Sequence, residues 1–115
     1  MQRDRLYLQD IVDAADAIAE FLKGVSEDEF AASDLIRSAV LQKLIVIGEA
    51  AANVSEPIRQ AHADVPWRQI VAFRNLAVHR YFRVDESIVW STANADVPQL
   101  QTQIRAILES IGEGD

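Results

Sequence analysis

The stretch Trp67–Arg83, WRQIVAFRNLAVHRYFR, decides how the rest of the 115-residue chain is read. It reads as one helix. From Val65 to Val84 there is no acidic residue, yet the whole chain carries a formal net charge of -7. Arg68, Arg74, Arg80 and Arg83 lie in that window, with His79 among them. A carboxylate-free, arginine-bearing helix in an acidic protein has two readings. It meets an anionic partner, or its arginines pair with carboxylates on neighbouring helices. Charge alone leaves both open.

Turning ~100° per residue, the helix is expected to place Trp67, Ile70, Val71, Val78 and Tyr81 on one packing arc, with Arg74 in its middle. A guanidinium there must be paired or line a cleft, because burying it unpaired costs on the order of 3–5 kcal/mol. Asn75 and His79, at i and i+4, share a different side, with Arg68 and Arg83 near them. Arg74 and His79 are five residues apart and point ~140° from each other. They can serve one reacting group if the arginine bends around the helix. They can also do so if two copies of the helix meet across a symmetric dimer. Tyr81 follows Arg74 by two turns, roughly 10 Å along the axis.

Outward from this helix, the chain is long enough for one domain and one core. Half its residues are apolar and a quarter charged, as in an ordinary soluble protein. It has no cysteine, hence no disulfide framework and no thiol nucleophile. The N-terminal MQRDRLYLQD has no apolar core, so it is no signal peptide. No apolar run nears the ~20 residues of a membrane span. A cytoplasmic protein is expected.

Leu8, Ile11, Ala15, Ile18 and Leu22 mark a first helix over 4–23, ended by Gly24. Ser26 and Glu29 form a capping-box pattern for a short helix. Asp34 is the expected cap of a second long helix to about Val54. That helix is apolar nearly all round, so it is central or covered on one side by a second subunit. Its Gly48 suggests close approach of another backbone. Glu49 either pairs with a cation, Arg74 being the candidate, or reaches solvent. A short helix is expected from Ser55 to about His62, and the key helix from Pro66 to near Phe82. Asp85 and Glu86 open another, and Asp96 with Gln99 form a capping-box pattern for a last helix to about Ile111. The fold expected is all-α, an up-and-down bundle of about five to six helices over 1–111, with a frayed tail at 112–115.

The chemistry is narrowed mostly by exclusion. There is no glycine-rich phosphate loop and no nucleophile-elbow serine. His62 and His79 are too far apart, without cysteine, to suggest a metal site. Arg74, Asn75, His79 and Tyr81 remain. These residue types suit transesterification of RNA without a metal or other cofactor. Histidine moves a proton at the 2′-OH or the leaving 5′-oxygen. Arginine stabilises the added charge on phosphorus, and asparagine orients the phosphate or the histidine. The plainer alternatives are a solvent-facing or capping His79 and a core Tyr81 with its hydroxyl at the rim.

The run Arg74-Asn75-Leu76-Ala77-Val78-His79-Arg80-Tyr81 resembles the R-x4-H-x-Y signature of HEPN-domain proteins. Leu44–Ala51, LIVIGEAA, resembles that family's apolar-IGEA segment. Pro66-Trp67-Arg68-Gln69-Ile70 resembles its P-W-x-x-I lead-in, and Tyr81-Phe82 with Val84-Asp85 and Val89-Trp90 resembles the segment that follows. The likeness covers nearly the whole chain and is nearest to the HepT-like branch, the toxin half of HepT/MntA toxin–antitoxin pairs. It implies a homodimeric, metal-independent endoribonuclease with the motif residues of two protomers facing one cleft. By position, Arg74 would bind and stabilise the phosphate, His79 would do acid–base work and Asn75 would support them. Tyr81 matches the tyrosine that an MntA-like nucleotidyltransferase antitoxin adenylylates. Phe73 stands where methionine is more usual, and Arg80 adds charge beside the cleft; Arg68, Arg80 and Arg83 are the expected RNA contacts. A second reading stays open, favoured by the net acidity. It is a non-catalytic helical module that docks a nucleotidyltransferase, with Arg74 and His79 holding nucleotide or structure.

Overall fold

A computed structural model describes residues 2–112, and among these every regular element is helical. The α-helices run Gln2–Phe21 (α1), Glu27–Ala32 (α2), Asp34–Asn53 (α3), Glu56–Ala61 (α4), Trp67–His79 (α5), Glu86–Ser91 (α6) and Val97–Ile111 (α7). A 3-10 turn at Tyr81–Arg83 follows α5, and a π-helical turn at Thr92–Asp96 carries α6 into α7. The expected all-α bundle forms. Residues 113–115 of the expected frayed tail lie outside the described residues.

The periodic stripe of α1 explains the packing. Leu8, Ile11, Ala15, Ile18 and Leu22 are all buried, each large aliphatic contributing about 1.5–3 kcal/mol. They meet Val40, Leu41, Leu44 and Ile47 of α3 and Leu100, Ile104 and Ile107 of α7 in one core. α3 is central, packed against α1 on one side and α5 on the other. The start of α1 meets the end of α3, so the two run antiparallel. There the Asp4 carboxylate, only 5% exposed, accepts from the Ser55 backbone N–H at 2.8 Å and the Ser55 hydroxyl at 2.7 Å. α7 also runs antiparallel to α1, its Gln101 amide donating to the Val12 carbonyl and to Asp16. Trp90 of α6 stacks obliquely on Phe30 of α2, with ring centroids 5.3 Å apart.

Local signals held at some ends and not at others. Gly24 has φ of +73°, which ends α1 in a conformation that suits glycine. Ser26 and Glu29 make both bonds of a capping box. The cap of α3, however, is Ser33 and not Asp34. Ser33 has extended backbone, and its short hydroxyl accepts from Ile36 N–H at 3.1 Å. Its own N–H closes α2 onto the Phe30 carbonyl, so one residue serves both helices. Ser55 precedes α4 but makes no side-chain cap; its hydroxyl is turned to donate to Asp4 instead. Asp96 is no cap either. It has helical φ and ψ of -76° and -41°, and the chain passes through it without a break. Pro98 lacks the N–H that an α-helix would need there. The turn before it widens instead, Val97 N–H bonding to the Thr92 carbonyl five residues back.

The Asp4–Ser55 contact ties the first turn of the chain to the α3–α4 junction, so Asp4→Ala should lower stability in urea unfolding by about 2 kcal/mol. Ser55→Ala should lose less, since the backbone N–H bond survives. An unchanged Asp4→Ala midpoint would remove this tie from the account. The Ser26 backbone N–H and hydroxyl hold the Glu29 carboxyl below its usual range. Its contribution is therefore present above the unfolded carboxyl's pKa and lost as pH falls through the lowered one. Glu29→Gln should flatten that part of the acid side of the stability profile in the same titration.

Candidate functional site

The candidate site is built on the seam between α3 and α5. Gly48 of α3 is buried, and a Cβ there would fall on Arg74 Cβ and 2.7 Å from its Cγ. The missing side chain is therefore what lets α5 lie this close. Across the same seam Ala77 is fully buried. Small residues at the crossing leave the long Arg74 side chain to run over the α3 backbone. Its side chain is only 18% exposed, and its Nη1 donates to Glu49 Oε1 at 2.5 Å. Its Nε donates to Asn75 Oδ1 at 2.7 Å. The cation expected on the packing face is thus paired, and Glu49 is its partner while itself remaining exposed to solvent, so the two expectations for Glu49 both hold.

The packing arc differs from the expected one at one end. Trp67 is buried, with its indole N–H on the His62 carbonyl at 3.0 Å, and Ile70, Val71 and Tyr81 are half-buried. Val78 is 51% exposed, and Ala77 takes its place inside. The close crossing at Gly48 selects the small side chain, which turns the face by about one residue. The helix also stops earlier than expected, at His79 and not near Phe82. Arg80 leaves helical geometry, with φ of -128° and ψ of 39°, and the 3-10 turn tightens the chain after it. This turn brings the Tyr81 hydroxyl to the Ser38 carbonyl of α3 at 3.5 Å. Tyr81 lies there beside Arg37, Leu41 and Val84 in a small cavity of about 110 Å³. Nothing in the local spacing pointed to Ser38, which is 43 residues upstream.

Asn75, His79, Arg68, Arg80 and Arg83 are all exposed. The two readings of the arginine-rich helix therefore divide by residue. Arg74 is answered by a carboxylate within the chain. Among the described residues, Arg68, Arg80 and Arg83 make no ion pair. The structure joins Arg74 to Asn75 directly but gives His79 no hydrogen bond to either. An open basin of about 960 Å³ extends from Asn75 past Arg68 to Arg59 of α4.

The sequence comparisons agree with one another. The model of a family described as ribonuclease HepT-like matches residues 11–107. A protein of Caldanaerobacter subterraneus subsp. tengcongensis, named as a candidate RNase, is 33% identical over 95% of this chain and 97% of its own. A candidate RNase of Methanocaldococcus jannaschii is 32% identical over 90% of this chain and 94% of its own. A Thermococcus cleftensis protein, named as a candidate ribonuclease HepT, is 34% identical over 83% and 86%. No solved structure matches the chain at a significant level.

The seam generates a test of its own. Gly48→Ala should destabilise the protein by at least about 2 kcal/mol in urea unfolding, since the new methyl overlaps backbone-anchored atoms of α5. Adding Arg74→Ala should not relieve the overlap, because Arg74 Cβ remains. A wild-type midpoint for Gly48→Ala would show that the helices have room to part.

Proposed function

The chain belongs to the HepT-like ribonuclease family, and from that membership we propose that it is a metal-independent endoribonuclease toxin that cleaves RNA by 2′-OH transesterification. The observation that carries the reading is Arg74, a guanidinium held at a helix seam by Glu49 and Asn75, on a helix that exposes Asn75 and His79. In this reaction the 2′-oxygen attacks phosphorus as its proton leaves, and the 5′-oxygen departs with a proton. The products are a 2′,3′-cyclic phosphate and a 5′-hydroxyl. His79 carries one of these protons, since an imidazole can both take up and release one. Arg74 stabilises the extra negative charge of the pentacoordinate phosphorus. Asn75 fixes the guanidinium through its Nε and supports the bound phosphate. Arg68, Arg80 and Arg83 supply exposed positive charge to the RNA on either side.

Five residues apart on one helix, Arg74 and His79 are expected to point ~140° from each other, so the working site is proposed as a cleft shared by two protomers. The exposed Leu35 and Val78, with half-buried Ile45 and Val46, support this. They leave apolar surface on the two helices of the seam. The proposed antitoxin is an MntA-like nucleotidyltransferase that adenylylates Tyr81, adding bulk and negative charge beside the site.

Purified, unmodified protein should cleave a defined RNA in excess EDTA and leave 2′,3′-cyclic phosphate ends. Arg74→Ala and His79→Ala, shown to be folded, should each lose at least about a hundredfold in rate. No cleavage by a dimeric protein with Tyr81 unmodified by intact mass would favour a non-catalytic module that docks the nucleotidyltransferase. Equal cleavage by His79→Ala would remove the assigned proton carrier.

A further inference from the structure

We propose that Glu49 is the positioning residue for Arg74, and that it orients the guanidinium for RNA cleavage while opposing RNA binding in the ground state. The inference rests on the ribonuclease reading of this site.

Three observations carry it. Gly48 allows Arg74 to pass over the α3 backbone, which brings the guanidinium to the next residue, Glu49. Glu49 then accepts from Nη1 at 2.5 Å, while Asn75 accepts from Nε at 2.7 Å. One acceptor comes from α3 and one from α5, so the plane of the guanidinium is fixed from two elements. Its Nη2 makes no hydrogen bond among the described residues and is the group left to face a phosphate. Finally, the Glu49 side chain is 57% exposed, against 18% for Arg74. A solvent-facing carboxylate therefore stands beside the cation that must receive an anion.

The two effects have opposite signs. Holding the donor in its reacting orientation favours the transition state, in which phosphorus carries more charge than in the substrate. The adjacent negative charge weakens binding of the substrate phosphate, with an effect that salt screens. Glu49 thus trades affinity for turnover. A residue that only stabilised the fold would move neither quantity in this pattern.

The test separates binding from rate with Glu49→Gln and Glu49→Ala. Binding is read with a 2′-O-methyl RNA oligonucleotide, which lacks the attacking hydroxyl, at low salt. Rate is read on the matching cleavable RNA in EDTA, with circular dichroism and melting to verify folding. Both variants should bind the 2′-O-methyl RNA roughly three- to tenfold tighter, and the gain should vanish on an Arg74→Ala background. Glu49→Ala should lose about tenfold or more in kcat. Glu49→Gln, whose amide oxygen still accepts from Nη1, should recover most of it. Unchanged or weaker binding in both variants would overturn the proposal. So would equal kcat loss in both with the acidic limb of the pH–rate profile abolished, since Glu49 would then be carrying a proton. If the wild type fails to cleave, the ribonuclease reading fails, and the binding arm with its Arg74→Ala control still decides the electrostatic claim. Absence of RNA binding by the wild type would overturn both.

Discussion

Everything in this fold that bears on function depends on Arg74 crossing α3 at Gly48. A guanidinium on a packing face needs a partner and a route to it. The missing Cβ at position 48 gives the route, and Glu49 is the partner. Once that contact sets the rotation of α5, the other positions follow. Ala77 is turned inward, and Asn75, His79 and Arg68 are turned out to solvent. The 3-10 turn after His79 then folds Tyr81 back toward Ser38 of α3. A different rotation would bury the histidine or expose the arginine.

The distribution of charge follows the same logic. The chain is acidic overall, which lowers indiscriminate attraction to nucleic acid. Positive charge is concentrated on one helix and its following turn, and there the arginines divide by role. Arg74 is held by protein groups, whereas Arg68, Arg80 and Arg83 face solvent without ion pairs among the described residues. Glu49 keeps local charge near balance at the point where the phosphate is proposed to bind. The proposed cleft therefore relies more on a fixed arrangement of donors than on a strong field.

Much of this was legible in the sequence, and the misses have physical causes. The α1 stripe, the Ser26–Glu29 box and the Gly24 stop depend on neighbours within four residues, and they form as expected. The reading of Gly48 as a close approach and of Glu49 as a candidate partner for Arg74 also held, because an apolar helix leaves few reasons for either residue. The end of α5, the inward turn of Ala77 and the Tyr81–Ser38 contact depend on what α3 presents across the seam, which no local window contains. The role of Ser55 went the same way. It has a capping residue's place, yet its hydroxyl belongs to Asp4, 51 residues earlier. Asp96 and Pro98 carry a helix-start pattern, but the π turn absorbs the proline and the helix continues. The family resemblance stood because it rests on several ordered segments and not on one motif.

The central claim is that Arg74 and His79 act together from two protomers, and mixing two inactive variants tests it most directly. Arg74→Ala and His79→Ala proteins would be combined, allowed to exchange subunits and assayed on RNA in EDTA. With a shared cleft, half of the dimers are mixed and each holds one intact site. Activity should then return to about a quarter of wild type. Exchange verified by mass with no return of activity would mean that each protomer uses its own arginine and histidine, contradicting the account.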